Sequence, residues 1–182
     1  MRLRRATMED LNEVMQLVRR VVPLMRESGN LQWDDAYPDV SVFESDVEKG
    51  LLWIAEIDAR IAGIAAITTD QAPEYAEVGW DITESAIVVH RLAVDPAFRG
   101  RGVAAALMHQ AEMVGMERGI QVVRVDTNSQ NQATQILFPK LGYVCAGEIG
   151  LGFRPGLRFL CYEKRTHLSV ATNPQPATAA AK

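Results

Sequence analysis

Between Asp95-Pro96 and an apolar-periodic segment that opens at Val103, the chain carries Arg99-Gly100-Arg101-Gly102-Val103-Ala104. These residue types in this order suit an anion. The first turn of a helix leaves N–H groups without intrahelical acceptors, and the helix dipole favours negative charge there. Glycines let the main chain approach phosphate oxygens with no Cβ in the way, and the two arginines add positive charge. The loop is therefore a candidate pyrophosphate cradle. Two other readings compete for it. A plain surface turn would use the same glycines. A dinucleotide site would use Gly100, Gly102 and Ala105 as G-x-G-x-x-A, with Asp126 downstream. Against the dinucleotide site, residues 95–101 separate the preceding strand from Gly102, and the run of parallel βαβ units is missing. No G-x-x-x-x-G-K-[ST] occurs, which excludes a Walker A loop.

The elements that must position this loop follow from periodicity. Residues 2–6 read as a strand, and Thr7 with Asp10 as a capping arrangement ahead of a helix. Leu11, Val14, Met15, Val18, Val22 and Met25 recur at the helical period, with Pro23 expected to kink or end that helix. A shorter helix spans 41–49, stopped by Gly50. Residues 51–57 and 61–68 form a hairpin around Asp58-Ala59-Arg60, and a polar, acidic stretch, 70–84, leads into a strand at 87–94. Then come a helix at 102–118, a strand at 122–126, a helix at 131–141, and strands at 143–149 and 157–164. This order predicts an α/β fold: a mixed central β-sheet with helices on both faces.

Composition bounds the rest. The 182 residues are 48% hydrophobic and 23% charged, which fits one domain, placed at 1–164, followed by a flexible C-terminal tail, 165–182. A net charge of −4 argues against a general nucleic-acid binder. Cys145 and Cys161 lack C-x-x-C spacing, and only three histidines accompany them, so no structural metal is expected. The basic N-terminus runs into acidic residues without an apolar core, and no apolar run is long enough for a bilayer, so the expected location is cytoplasmic.

Two spaced motifs carry a resemblance. Arg99-x-x-Gly102-x-Ala104, after the strand ending Leu92-Ala93-Val94-Asp95-Pro96, resembles the Q/R-x-x-G-x-G/A signature of the GCN5-related N-acetyltransferases, the GNAT family. Asn131, Ala133 and Phe138-Pro139-Lys140-Leu141-Gly142-Tyr143 resemble the family's second block, N-x-x-A followed by Y-x-x-x-G-F. The likeness extends over residues 2–164 with the same element order. It implies the acyl-CoA N-acyltransferase fold, acetyl-CoA as cofactor, and acetyl transfer to a primary amine by direct attack. By position, main-chain groups of Leu92, Ala93 and Val94 would bind the pantetheine arm. The amides of Arg99, Gly100, Arg101, Gly102, Val103 and Ala104 would hold the pyrophosphate. Asn131 would contact the cofactor arm, and Phe138 would lie near the thioester.

Attack on a thioester requires the amine to shed a proton, an N–H to meet the developing oxyanion, and a tolerable thiolate leaving group. Val94 is the candidate oxyanion donor. Where the family commonly carries a tyrosine acid, this chain has Phe138, so water, or departure as free thiolate, is the working expectation. Where some members carry a glutamate base, it has Val88. His90, two residues on, is the candidate base, placed by strand alternation beside Leu92 and opposite Arg91 and Ala93, with the rate rising through roughly pH 6 to 8. A hydrogen-bonded structural histidine is the competing reading. Glu77 and Asp81 are the runner-up bases.

The irregular stretches 28–39 and 70–84 hold Trp33, Tyr37 and Trp80 among several carboxylates, which suits a cationic amine. A solvated acidic surface with packed tryptophans fits the same residues. The expected partner is a small-molecule or peptide amine, with no nucleic acid and no membrane; a homodimer is left open. The alternative function is a non-catalytic acyl-CoA-binding or regulatory domain, kept open by Phe138.

Overall fold

The computed structural model describes residues 1–166. The strands are β1 Arg2–Arg5, β2 Leu52–Ile57, β3 Arg60–Thr68, β4 Ala86–Val94, β5 Val122–Asn128, β6 Val144–Gly150 and β7 Arg158–Arg165. The helices are α1 Leu11–Glu27, α2 Val40–Glu48, α3 Val103–Glu117 and α4 Gln132–Lys140. All seven strands form one sheet in the order β1-β2-β3-β4-β5-β7-β6, antiparallel throughout except for the β4–β5 pair. One face packs on α3 and α4, the other on α1 and α2. This is the mixed α/β sandwich that the alternation of strand and helix patterns predicts.

The central strand explains its own sequence. From Ile61 to Thr68 every residue of β3 is buried, because helices cover both faces, so the run is continuously apolar instead of alternating. Gly63 sits where α3 comes closest. A Cβ there would lie 2.6 Å from a Val103 methyl and 2.9 Å from the Ala93 carbonyl oxygen. Only glycine lets the start of α3 settle this near the sheet.

Three expectations change in detail. Pro23 neither ends nor stops α1, which runs on to Glu27. Pro23 is exposed, and the solvent side of a helix is where a missing N–H is most easily tolerated. The last strand continues through Arg165, which pairs with Glu84 at 2.7 Å, so Arg165 belongs to the domain and not to the tail. Residues 167–182, the bulk of the expected tail, lie outside the described residues. Within 70–84, residues Pro73–Val78 form a short 3-10 helix.

Candidate active site

β4 and β5 pair for only four residues, from Ala86 opposite Val122 to Val89 opposite Val125. Beyond that point β4 follows β3 and β5 follows β7, so the sheet splits and a wedge opens at His90 and Asp126. A cleft of about 1150 Å³ runs through this opening, walled by both strands and by the first turns of α3 and α4.

A bulge shapes the β4 wall. Arg91 and Leu92 together stand opposite Ala65, with Ala66 pairing His90 and Ile64 pairing Ala93. Arg91 takes the left-handed conformation, φ +53°, and its guanidinium makes two 2.7 Å bonds to Asp46 of α2. The extra residue breaks alternation. His90 stays on the α1 side with its partner Ala66, whereas Leu92 and Val94 pack toward α3. The expectation that His90 lies beside Leu92 is thereby corrected: the two occupy opposite faces, and the wedge is the passage between them.

On the α3 side the cleft is built for an anion on a flexible arm. Gly100 and Gly102 have φ near +75°, at 73° and 76°, a region that disfavours any residue with a Cβ. Nothing lies within 4 Å of where either Cβ would be. The first intrahelical bond of α3 runs from the Ala106 N–H to the Gly102 carbonyl, and among the described residues Val103, Ala104 and Ala105 find no acceptor for theirs. Val103, Ala104, Ala105 and Arg99 all line the cleft. Asp95 N–H donates to the Ala62 carbonyl at 2.9 Å. By the alternation of an antiparallel ladder, the Val94 N–H therefore points away from β3 and into the wedge. Asn131 caps α4, its side chain accepting from the Thr134 N–H, and it lines the same wall.

On the opposite face sits a cluster of three titratable groups. Tyr75, fully buried in the 3-10 helix, donates to Asp126 Oδ2 at 2.5 Å. His90, one strand over, has its Nε2 3.4 Å from the Asp70 carbonyl oxygen. Burial lowers the His90 pKa from its ordinary 6.5; the Asp126 charge opposes that shift and Arg91 adds to it. Burial raises the Asp126 carboxyl, against the pull of His90 and the Tyr75 hydrogen bond. Burial and the Asp126 charge hold the Tyr75 phenol well above its ordinary value, so it stays a donor. A histidine depressed in this way is neutral and free to accept a proton near pH 7, and its titration lies below 6.5, not across pH 6 to 8.

The residues singled out in the sequence divide. Leu92, Ala93, Val94, Arg99, Gly100, Gly102, Val103, Ala104, Asn131, Phe138, His90, Trp33 and Tyr37 all line the one cleft. Arg101 does not: its guanidinium lies over the Phe98 ring, 5.4 Å from the centroid, leaving only its main chain in the loop. Phe138 presents one edge to the cleft but is 1% exposed, packed edge-on against Tyr162 at 5.2 Å between centroids. Pro139 leaves α4 continuous to Lys140.

Glu77 and Trp80 fall outside the cleft. The 3-10 helix is pinned at its far end by Val78, packed over Gly147 of β6, so its near end, Ala72 to Glu74, reaches the cleft and Glu77 is left on the surface. Trp80 instead meets Tyr75 edge-on, with ring centroids 5.1 Å apart, and takes the Arg124 guanidinium 4.8 Å from its ring centroid. Arg124, 1% exposed, also binds Glu163 at 2.9 Å and Gln71, and so fastens the 70–84 segment beneath the sheet. Asp81 belongs to that framework through its carbonyl, which accepts from Arg124. Asp126 and Glu74 are the acidic groups that line the cleft, and neither was a sequence candidate for the base. In the sequence Asp126 stood out only as the acidic residue downstream in the competing dinucleotide reading.

Comparison with known proteins agrees with this architecture. The pattern of the acetyltransferase (GNAT) family matches residues 16–143. An uncharacterised N-acetyltransferase of Bacillus subtilis, YesJ, is 26% identical over 153 residues, covering 81% of this chain and 84% of that one. The crystal structure of a GNAT-family acetyltransferase from Streptococcus agalactiae superposes with a TM-score of 0.74 at 26% identity, over 92% of this chain and 96% of that one. At 17% identity the likeness is of fold alone: the Salmonella typhimurium protein yncA, solved with its cofactor acetyl-CoA, gives a TM-score of 0.67 over 96% of this chain and 98% of its own. The split sheet, the glycine-arginine loop at the start of α3 and the match over residues 16–143 converge, and the chain belongs to the acetyltransferase (GNAT) family.

Proposed function

We propose that this protein transfers an acetyl group from acetyl-CoA to a primary amine by direct attack, with His90 as the base. The observation that carries the reading is the wedge itself. An open glycine loop at the start of a helix lies on its α3 side, and His90 and Asp126 lie on its other side, with one passage joining them.

The residues present fit acetyl-CoA. The free N–H groups of Val103, Ala104 and Ala105, with the Arg99 charge, would hold the pyrophosphate. Leu92, Val94 and the edge of Phe138 offer an apolar track for the pantetheine arm. When bound, acetyl-CoA supplies a thioester carbonyl activated toward nucleophiles. The work of the chain is then threefold. His90 accepts the proton that the amine loses as its C–N bond forms, and the Asp126 charge stabilises the resulting imidazolium. The Val94 N–H faces the opening, where it can donate to the oxyanion. Phe138 carries no hydroxyl where the family commonly has a tyrosine acid, and the Tyr75 phenol is engaged with Asp126, so the departing thiolate would take its proton from water.

Free-thiol release from acetyl-CoA, followed with and without a panel of primary amines, tests this. Stimulation by amine, with one thiol released per amide formed, supports the reading. Tight acetyl-CoA binding with no stimulation by any amine would leave a non-catalytic acyl-CoA-binding domain instead.

A further inference from the structure

The acceptor end of the cleft, on the α1 face, has walls whose chemistry selects among amines. Trp33 is 3% exposed and forms the floor beside Met25, while Tyr37 and Phe153 stand at the mouth with ring centroids 5.8 Å apart. Phe153 is 55% exposed although it is a large apolar ring, and Leu24, on the same rim, is 36% exposed. Phe153 also leans on Phe159, at 6.2 Å, which packs in the same buried cluster as Tyr75.

The charges at this end are one-sided. Asp126 and Glu74 supply carboxylates. Among the described residues two arginines near this end have carboxylate partners. Arg91 is held bidentate by Asp46, and Arg154 keeps Nη1 on Asp34 at 2.7 Å while lying over the Tyr37 ring at 5.0 Å. The Nε and Nη2 of Arg154 have no partner, but both are covered by the chain and the residue is not part of the cleft wall. An acceptor carboxylate would therefore meet like charge without a counter-ion, which costs binding.

The mouth is also roofed. The Asp34–Arg154 ion pair and the Tyr37–Phe153 contact join the α1–α2 connection to the β6–β7 connection across the opening. A roof of this kind admits a small molecule more readily than a folded protein presenting a lysine.

We infer that the acceptor is a small arylalkyl primary amine that carries no carboxylate, its ring between Tyr37, Phe153 and Trp33 and its nitrogen at His90 and Asp126. This rests on the proposed acetyl transfer. The amine nitrogen bonds to the acetyl carbon, the carbon–sulfur bond breaks, His90 takes the amine proton, and the thiolate is protonated by water.

The test is kcat/KM for thiol release from acetyl-CoA by the full chain with four acceptors: 2-phenylethylamine, phenylalanine, ethylamine and a short lysine-containing peptide. Phenylethylamine should exceed both ethylamine and phenylalanine by roughly tenfold or more, and the peptide as well. Phe153→Ala should narrow the phenylethylamine-to-ethylamine ratio by about threefold or more, and the exposure of Phe153 makes loss of folding a poor explanation for the change. If ethylamine is turned over but phenylalanine or the peptide matches phenylethylamine, or Phe153→Ala leaves the ratio unchanged, the inference fails while acetyl transfer stands. If phenylalanine is preferred and Arg154→Gln abolishes that preference, Arg154 reads an acceptor carboxylate and the inference is wrong. No thiol release with any amine overturns both.

Discussion

The phenol of Tyr75 donates to Asp126 Oδ2 at 2.5 Å, tying a 3-10 helix to a strand whose sequence position is 51 residues away. That bond does two things. It fixes the near end of the 70–84 segment at the cleft, and it favours the ionised form of a carboxyl whose pKa burial raises. Asp126 in turn is the largest negative influence on His90, so the proton affinity of the histidine depends on a hydroxyl bonded to its neighbour.

Tyr75→Phe should therefore act at a distance. With the hydrogen bond gone, the Asp126 carboxyl moves further up and is less often charged, so its support for protonated His90 weakens. The acidic limb of the kcat/KM profile should shift to lower pH, with a loss of stability of about 1–3 kcal/mol from the unsatisfied carboxyl. An unmoved limb, measured alongside thermal unfolding, would show that Asp126 does not tune His90.

Arg99 and Arg101 look equivalent in the sequence and are not equivalent in the fold. Arg99 lines the cleft, while Arg101 lies on the Phe98 ring. Calorimetric titration should find Arg99→Ala weakening acetyl-CoA binding by about tenfold and Arg101→Ala by much less. Rising salt should weaken the parent toward the Arg99→Ala value. Equal losses from the two variants would mean that the loop presents both side chains to the phosphates.

Gly102→Val tests the main chain of the same loop. Its φ of +76° makes a β-branched residue costly by about 1–3 kcal/mol, and the new side chain would fill the open space above the loop. Acetyl-CoA affinity should fall at least tenfold while the remainder of the domain stays folded. Full affinity would remove the cradle.

Gly63→Ala tests how α3 is seated. The added Cβ meets Val103 and the Ala93 carbonyl at 2.6 and 2.9 Å, so the start of the helix must move off the sheet. Destabilisation of about 1–3 kcal/mol is expected, as for other overpacked cores, and acetyl-CoA binding should weaken with it. A fully stable variant that binds normally would show that α3 can shift without cost.

Much of this was legible in the chain. The sequence patterns mark all seven strands and the four α-helices, and the loop at Arg99 to Ala104 stands out because glycines and arginines directly before a helix suit an anion. What stayed hidden is non-local. The bulge at Arg91 contains no glycine, and the ion pair to Asp46 that accompanies its left-handed backbone joins positions 45 residues apart; strand alternation carried His90 to the wrong neighbour as a result. Trp80 looked like a ring for a substrate because its actual partner, Arg124, lies on a strand that reads as uniformly buried. Glu77 and Glu74 share one turn, and long-range contacts, Val78 with Gly147 and Tyr75 with Asp126, decide which of them reaches the cleft. No local pattern encodes that choice.

His90 as the base is tested most sharply by kcat/KM for acetyl transfer to a primary amine as a function of pH, in the parent and in His90→Gln. His90 is depressed below 6.5 by burial, so it is neutral above that value and becomes protonated, and useless as a base, as the pH falls through it. The parent should therefore lose activity along a single limb with its midpoint below 6.5, with Asp126, Tyr75, Arg91 and Asp46 as the groups that set its position. His90→Gln keeps a hydrogen-bonding side chain without a titrating one; it should lose roughly a hundredfold or more in rate, fold and bind acetyl-CoA normally, and show no such limb. A folded His90→Gln protein with a near-parental rate and the same limb would contradict the assignment outright.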